Sequence, residues 1–250
     1  MFDKIQIQLK AYQPISLEEI EKVKLMNRVD TKYAVPIEQV IRLISDLQSS
    51  YNVLEIASQR SGKYHSVYYD TADLKMFYAH VTHHYPRFKV RKRTYSQNGF
   101  QFLEVKHKEI NGRTSKKRLS LKDQDNFNSS ADNILIQYTP FSKEELSPML
   151  CNSFDRVTLV NKARTERLTM DFNLHFSSYN GIETPVYEQA VIIELKQDKK
   201  AESEVAKRLR SENIRETGMS KYCIGTYLLN NELSYKMYKK NFVKFLNVTQ

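Results

Sequence analysis

The sequence predicts an α+β protein in which about eight antiparallel strands close into a barrel around a polar tunnel, with helices packed on the outside. Three observations predict this fold. Strand-like segments alternate apolar with charged residues, their connections are mostly short, and the charged faces are rich in cations. A closed barrel removes the exposed edges of such strands. If the apolar faces pack outward under helices, the charged faces line the lumen.

Length and composition indicate a folded protein with an anionic partner. The chain has 250 residues, of which 40% are hydrophobic, and a formal net charge of +10. We expect one domain over residues 1–250, with a C-terminal helical extension at about 223–250. The charge favours nucleic acid, phosphorylated metabolites or an anionic membrane surface as the partner.

The same composition predicts the compartment. Two cysteines without CxxC spacing argue against a zinc site and favour a reducing environment. No segment resembles a signal peptide, and none has the roughly 20 apolar residues that span a bilayer. We therefore expect a cytoplasmic protein without a membrane span.

Helices and strands alternate before residue 87. Ser16 and Glu19 have the spacing of a capping box, and Pro36 is typical of a first helical position. A short strand places Arg28, Asp30 and Lys32 on one face. The predicted elements are a helix over 16–26, a strand from 28, a helix over 37–47, strands over 51–58 and 64–69, and a helical turn over 74–80.

A three-stranded antiparallel meander is predicted over residues 87–122, with turns at Gln97-Asn98-Gly99 and Asn111-Gly112. Alternate residues share a face. The predicted charged face carries Arg87, Lys89, Arg91 and Arg93, then Glu104, Lys106 and Lys108, then Lys116, Arg118 and Ser120, although Lys117 blurs the last register. This face is either a solvated basic surface or a site for a polyanion. Because like charges on neighbouring strands repel, a ligand with several negative charges explains it better.

The remaining chain predicts further strands with one charged face. Arg167, Thr169 and Asp171 share a face, as do Glu194 and Lys196. The predicted elements are a loop over 123–133, a capped helix from Ser142, strands over 156–160, 166–172 and 186–196, an amphipathic helix over 199–213, and a last helical region that ends at 235–240.

Ordered motifs over nearly the whole chain resemble the VTC domain, the polyphosphate polymerase member of the triphosphate tunnel metalloenzymes, a group that includes the CYTH proteins. Each motif is weak alone, but their order and spacing are specific. The motifs are Arg28-Val29-Asp30-Thr31-Lys32-Tyr33, Tyr68-Tyr69-Asp70-Thr71, Arg91-Lys92-Arg93, Leu103-Glu104-Val105-Lys106, Gly112-Arg113 with Lys116 and Arg118, Arg167-Leu168-Thr169-Met170-Asp171, Ile193-Glu194-Leu195-Lys196 and Ser220-Lys221-Tyr222. The ExExK opening of CYTH hydrolases is absent, which favours the polymerase branch.

The resemblance implies a closed antiparallel barrel whose lumen binds triphosphate and a growing polyphosphate chain. It implies catalytic roles for Lys32, Arg91, Arg93 and Glu194, with Mn²⁺ or Mg²⁺ at Glu194. Further phosphate contacts are implied for Lys106, Lys116, Arg118, Arg156, Arg167, Lys196 and Lys221. Glu104 is either a second metal ligand or the counter-ion of Lys106 and Arg91, and Asp171 is either functional or a structural partner of arginines.

The predicted function is therefore a metal-dependent phosphotransferase that passes the γ-phosphoryl group of a nucleoside triphosphate, such as ATP, to a polyphosphate chain. No nucleophilic side chain is needed, because the acceptor oxygen is already anionic. One alternative is a triphosphatase, in which water replaces the acceptor, and another is a polyphosphate sensor without turnover. Nucleic-acid binding is disfavoured by an internal tunnel, and Tyr95 and Phe100 are the only aromatic candidates near the basic residues. The oligomeric state is left open.

Overall fold

The computed structural model describes residues 1–22, 28–121, 127–198, 202–230, 233 and 239–249. These ranges form an α+β protein, as predicted. The strands are β1 (Gln13–Ile15), β2 (Arg28–Pro36), β3 (Tyr51–Leu54), β4 (Gly62–Asp70), β5 (Arg87–Tyr95), β6 (Gln101–Lys108), β7 (Thr114–Leu121), β8 (Ser147–Asn161), β9 (Glu166–Ser178) and β10 (Ala190–Asp198). The helices are α1 (Phe2–Leu9), α2 (Leu17–Lys22), α3 (Ile37–Leu47), α4 (Lys75–Val81), α5 (Phe127–Tyr138), α6 (Glu204–Ser211), α7 (Lys221–Leu229) and α8 (Lys239–Leu246). None of these helices is long and apolar enough to cross a membrane.

The strands form one large sheet, antiparallel along its main path, with the order β2-β10-β9-β8-β4-β5-β6-β7. Outside this path, β3 pairs antiparallel with β8, and β1 pairs parallel with β3. Within the described ranges β2 pairs only with β10 and β7 only with β6, so the path stays open. The predicted closed barrel is therefore not confirmed, and the sheet has ten strands where about eight were predicted.

The sheet is strongly curved, so that its two ends face each other. In the strand order, β2 and β6 are six spacings apart, or roughly 29 Å in a flat sheet. Yet the segment 217–220 reaches both β2 and β5, since the Thr217 amide donates to the Lys32 carbonyl oxygen at 2.8 Å and Lys89 Nζ donates to Ser220 Oγ at 2.8 Å. Lys32 of β2 also repels Lys106 of β6, and this repulsion adds to the larger effect of burial in lowering the pKa of Lys106 to about 8. The face that carries these two lysines is called the concave face below.

The opposite, convex face is apolar and packs under helices. One cluster joins β2, β8, β9 and β10 to α1, α3 and α6, and it fully buries Val191, Ile193 and Leu195 of β10. Another joins β5, β6 and β7 to α5. Full burial of such a side chain contributes about 1.5–3 kcal/mol. The predicted inversion, with apolar residues outward and charges inward, is confirmed.

Helix α7 fills one end of the concave face. Leu150, Phe176 and Ile192 of the sheet pack there in a cluster with α4, α7 and α8. A Cβ atom on Gly225 of α7 would lie 2.5 Å from Phe176 and 2.8 Å from Leu150, so only glycine permits this close approach. The polar part of the concave face begins at the N-terminus of α7.

Several predicted elements are confirmed. The capping box forms, because the Ser16 amide donates to Glu19 at 3.0 Å and the Glu19 amide donates to Ser16 Oγ at 3.2 Å. Helix α3 begins directly after Pro36, and the meander has the predicted strands. Lys117 faces outward, 4.8 Å from the Tyr138 ring, so the third strand keeps the alternation that places Arg118 inward.

Two local predictions were wrong, and two elements were not predicted. Residues 127–133 belong to α5 and not to a loop, since Ala131, Ile134 and Leu135 have helical spacing and are buried against the meander. The helix predicted from Ser142 is only a turn, because β8 begins at Ser147. Helix α1 and strand β1 were not predicted. The remaining outcomes are a strand at 51–54 instead of 51–58 and, within the described part of the predicted helix 199–213, a helix at 204–211. Residues 23–26, 123–126, 199–201 and 235–238, for which elements were also predicted, lie outside the described ranges.

Candidate functional site

The charged side chains of the meander lie in rows across the concave face. Adjacent strands place residues directly opposite one another, so each row crosses β5, β6 and β7. The rows are Lys89, Lys106 and Lys116, then Arg91, Glu104 and Arg118, then Arg93, Phe102 and Ser120. The first row is called the lysine row below.

The lysine row contains no carboxylate. Directly opposed like charges destabilise a sheet, so the three ammonium groups of this row repel one another and weaken the strand pairing. Lys116 reaches sideways to Glu104 at 2.5 Å, and Lys89 donates to Ser220 Oγ at 2.8 Å. In the part of the chain that the structure describes, neither Lys89 nor Lys106 pairs with a carboxylate. Burial, together with repulsion from Lys32 and Lys106, lowers the pKa of Lys89 to about 7.

Glu104 is a buried carboxylate that several cations contact at once, and such a residue is called a hub below. Its carboxylate is 2% exposed and lies 2.6 Å from Arg91 Nη2, 2.5 Å from Lys116 Nζ and 3.9 Å from Arg118 Nε. Burial opposes its charge, but Arg91, Arg93 and Lys116 outweigh burial and hold its pKa at about 2. Both carboxylate oxygens are thus occupied by cations. This geometry favours the counter-ion interpretation of Glu104 over the metal-ligand one, with Arg91 as predicted and with Lys116 in the place predicted for Lys106.

Asp171 is a second buried hub. Arg156 binds it with two parallel hydrogen bonds, Nε to Oδ1 at 2.6 Å and Nη2 to Oδ2 at 2.8 Å, and Lys221 of α7 also contacts Oδ2. Burial raises the pKa of Asp171, but Arg156 and Lys221 outweigh it and lower the pKa below its usual value. Asp171 therefore fixes Arg156 and the start of α7 in place, which favours a structural role.

Glu194 is more accessible than these two hubs. Its side chain is 17% exposed, and it lies directly opposite Lys32, whose Nζ is 3.5 Å away. Lys196 Nζ bridges Glu194 at 2.9 Å and Asp30 at 3.1 Å. Burial opposes the charge of Glu194, but Lys32 and Lys196 outweigh it and hold its pKa well below the usual value.

The donor set near Glu194 bears on metal binding. In the described residues no group of three or more His, Cys, Asp or Glu side chains could hold a metal ion. Mg²⁺ is usually held by one or two carboxylates, while water and substrate phosphates complete its coordination. Glu194 with neighbouring Asp30 therefore fits such an ion only together with a phosphate ligand, and only if Lys196 Nζ, which here bridges the two carboxylates, moves aside.

Aromatic rings form the floor beneath the deepest cations. Tyr64 and Phe154 stack with their ring centroids 5.3 Å apart. Around the Phe154 ring lie Arg93 at 5.9 Å, Arg156 at 5.1 Å and Lys221 at 4.6 Å. Each such contact contributes about 0.5–2 kcal/mol, more where water is excluded. These ring contacts therefore offset the part of the repulsion among the three cations that carboxylates do not neutralise.

Arg93 is the most deeply buried of these cations. It is 6% exposed, and Ser66 Oγ accepts from its Nε at 3.3 Å. Within the described ranges it forms no ion pair, unlike its neighbour Arg91. The potential here is strongly positive: burial alone would raise the pKa of the Tyr68 phenol, but Arg91, Arg93 and Lys221 lower it.

All predicted site residues lie on the concave face or, for Lys221, at the helix start that closes one end of it. Arg167 lies opposite Lys196 on the neighbouring strand. Lys116 and Arg118 are 46% and 43% exposed, so they lie at the accessible side. The predicted residues brought together are Lys32, Arg91, Arg93, Glu104, Lys106, Lys116, Arg118, Arg156, Arg167, Glu194, Lys196 and Lys221.

Sequence reasoning missed several residues of the site. Lys89 was placed on the charged face but given no role, and Phe154, Tyr64 and Ser66 were not considered. Alternation supplied the signal for the last two, since Tyr64, Ser66 and Tyr68 share one face of β4. Phe154 was missed because the strand was predicted to begin at residue 156, although Phe154 lies two residues before Arg156 and directly opposite Tyr64.

Comparison with known proteins gives one sequence match. A family model described as the VTC domain matches residues 27–230. No curated protein matches the chain.

Solved structures show a distant likeness. A Vibrio parahaemolyticus protein proposed to be an adenylate cyclase is 15% identical, with a TM-score of 0.43 over 78% of this chain and 94% of that chain. A Bacillus halodurans protein with the same proposed activity is 16% identical, with a TM-score of 0.45 over 78% of this chain and 94% of that chain. A Hippeastrum protein, proposed to be an adenylyl cyclase and described as having a dominant triphosphatase activity, is 16% identical, with a TM-score of 0.47 over 80% and 94%.

Proposed function

Because this chain belongs to the VTC domain family, we propose that it transfers the γ-phosphoryl group of a nucleoside triphosphate to the end of a polyphosphate chain on the concave face. The observation that carries this proposal is the lysine row, together with the buried Arg93 two rows away, which forms no ion pair in the described residues. Opposed lysines destabilise the folded sheet, and the contacts of Arg93 with Ser66 and two aromatic rings compensate only part of the cost of burying a guanidinium without a carboxylate. A polyanion supplies the missing negative charge.

The arginines suit the donor triphosphate. A guanidinium presents a planar fork that can donate two parallel hydrogen bonds to phosphate oxygens. Arg93 has donors free of carboxylates, and Arg156 is oriented by Asp171, so both are held rigidly before the ligand arrives. Preorganised donors of this kind stabilise charge on a transferring phosphoryl group without reorganisation during the reaction.

The lysine row suits the acceptor chain. Lysine is a mobile point charge that tolerates many phosphate positions, which a sliding polymer requires. The half-exposed Lys116 extends this row toward solvent. Lys89 and Lys106, with lowered pKa values of about 7 and about 8, gain protons when a polyanion binds beside them.

Glu194 with Asp30 would hold a divalent ion together with the donor phosphates. Such an ion would supply positive charge that neutralises the donor phosphates. Lys32 and Lys196, which flank Glu194, keep that carboxylate ionised at neutral pH. The two lysines also reach the phosphates that this carboxylate would help to place.

The transfer itself needs no nucleophilic side chain. The bond from the γ-phosphorus to the β,γ-bridging oxygen breaks, and a bond forms from that phosphorus to a terminal oxygen of the acceptor chain. The nucleoside diphosphate leaves with the electron pair. The cations hold donor and acceptor in line and neutralise the three equatorial oxygens of the γ-phosphoryl group.

A triphosphatase is the second candidate. The exposed fractions of Lys116 and Arg118 show that water reaches the edge of the site. Water in place of the acceptor would then give free phosphate instead of polymer. The third possibility, a sensor, requires binding without turnover.

The test is incubation of the purified protein with ATP and Mn²⁺ or Mg²⁺, following polyphosphate and free phosphate together. Glu194→Gln is the test variant, and Glu38→Gln on the exposed side of α3 is the matched control. Polymer that disappears only in Glu194→Gln supports the polymerase. Free phosphate alone would move the assignment to the triphosphatase, and bound ATP without either product would favour the sensor.

A further inference from the structure

A group of aromatic residues lies at the hairpin between β5 and β6, next to the phosphate-binding cations. The guanidinium carbon of Arg118 lies 3.4 Å above the Phe102 ring centroid and 5.4 Å from that of Tyr95. The two rings meet edge to face with centroids 5.7 Å apart. In the part of the chain that the structure describes, neither ring belongs to an apolar core cluster.

This group is continuous with the arginines. Phe102 lies directly opposite Arg93 on the adjacent strand, and Arg118 is in the row of Arg91. Tyr95 also contacts Tyr64 of the aromatic floor, with ring centroids 4.9 Å apart. The aromatic surface therefore runs without interruption from the deep cations to the hairpin.

The chemistry of these side chains differs from that of the lysine row. Arg118 lies close over a ring, which aligns its planar face for stacking, and its side chain is still 43% exposed. Arginine stacks on flat π-systems because it is planar and weakly hydrated, whereas lysine does not. Inorganic phosphate chains have no flat apolar face, so the rings offer them nothing. A heteroaromatic ring joined to a polyphosphate matches both parts of this surface.

We propose that Phe102, Tyr95 and Arg118 form a subsite that stacks the nucleobase of the donor. The proposal rests on the proposed function, in which the donor is a nucleoside triphosphate. It assigns Arg118, which the family resemblance makes a phosphate contact, to the base. The subsite then distinguishes a nucleoside triphosphate from inorganic tripolyphosphate, which the cations alone would bind equally well.

The test compares ATP with tripolyphosphate by isothermal titration calorimetry on the full chain, in EDTA and at fixed ionic strength, so that no turnover occurs. Arg118→Lys keeps the charge but removes the planar face, and Phe102→Leu keeps apolar volume but removes the ring. Each variant is expected to bind ATP about tenfold more weakly, by the usual contribution of stacking, and tripolyphosphate within about twofold of wild type. Phe102→Tyr is expected to restore ATP binding.

Tyr179→Ala, at a 64% exposed tyrosine on the loop after β9, is the control and should change neither affinity. An equal loss for both ligands would show that Arg118 binds phosphate and would overturn the subsite. So would unchanged ATP affinity in both variants. Failure of the proposed polymerase activity is recognised separately. If no polymer forms but the variants still lose affinity for ATP and not for tripolyphosphate, the subsite stands and only the polymerase is refuted.

Discussion

Replacing Arg93 by methionine should separate ligand binding from folding. Arg93 is 6% exposed, and its contacts are Ser66 at 3.3 Å and the rings of Tyr64 and Phe154 at 5.5 and 5.9 Å. Burial, with repulsion from Arg91, lowers the pKa of its guanidinium. The folded protein therefore holds this charge at a cost.

The two expected effects differ in size. Methionine keeps most of the stem volume, and the loss of the cation–π contacts, about 0.5–2 kcal/mol each, is offset by relief of the repulsion and of the cost of burying an unpaired charge. The free energy of unfolding should thus change by less than about 1 kcal/mol. Loss of two charge-assisted hydrogen bonds at about 1.5 kcal/mol each should weaken tripolyphosphate binding by about 3 kcal/mol, or roughly 150-fold.

Urea unfolding without ligand and calorimetric titration with tripolyphosphate measure these effects. Arg210→Met, at an exposed position of α6, is the matched control. Arg60 would be a poor control, because its guanidinium binds Glu55 and backbone carbonyl oxygens. The reasoning is refuted if Arg93→Met loses more than about 2 kcal/mol of stability while its affinity stays within threefold of wild type.

Three further predictions concern the carboxylates and Lys89. Asp171→Asn should lower the free energy of unfolding by about 3 kcal/mol, because it leaves the buried Arg156 and Lys221 without a charged partner. The control, Asp46→Asn at an exposed ion pair, should lower it by less than about 1 kcal/mol. Similar losses for the two variants in urea unfolding would argue against the structural role of Asp171. Glu194→Gln should abolish the enhancement of tripolyphosphate binding by Mn²⁺ in calorimetry while leaving affinity in EDTA equal or higher, and retained enhancement would place the ion elsewhere. The pKa of Lys89 falls from 10.5 to about 7 on folding, so the unfolded state binds more protons than the folded state between pH 7 and 10.5. Across this interval the free energy of unfolding of the wild type should therefore rise with pH more steeply than that of Lys89→Met. Parallel stability profiles of the two proteins would contradict the lowered pKa.

The faces of the meander were predictable because strand alternation has a strict period of two residues. The positions of Arg91, Arg93, Glu104 and Lys106 follow from that period once the two turns are recognised. Lys117 interrupts the alternation of charged and apolar residues along β7 in sequence but not in structure, because its side chain points outward and lies over the Tyr138 ring. Local sequence was therefore enough for the charged face.

Sheet closure and the depth of the site were not predictable in this way. The closed barrel was expected from the cost of exposed edges, but pairing between the first and last strands depends on curvature and register over the whole sheet. The stack of Tyr64 on Phe154 joins two strands far apart in the sequence. The role of Glu104 depended on which cations reach it, and alternation alone does not specify that.

Helix α5 shows a related limit. Its sequence is rich in Asn, Asp and Ser, residues that favour turns and caps. Burial of Ala131, Ile134 and Leu135 against the meander outweighs that preference. Composition indicated a loop, whereas the spacing of three apolar residues carried the correct signal.

If the concave face binds phosphate chains as proposed, the two buried hubs make affinity depend on how many charges a ligand carries. Glu104 and Asp171 already occupy Arg91, Lys116, Arg156 and Lys221, so an incoming anion competes with carboxylates that are tethered in place and never dissociate. A single phosphate faces this competition with one or two contacts, while a chain of phosphates reaches the unpaired lysines at the same time. Affinity should therefore rise more steeply than in proportion to phosphate number. In a cell where orthophosphate is abundant, such internal competitors would keep the site free for longer chains.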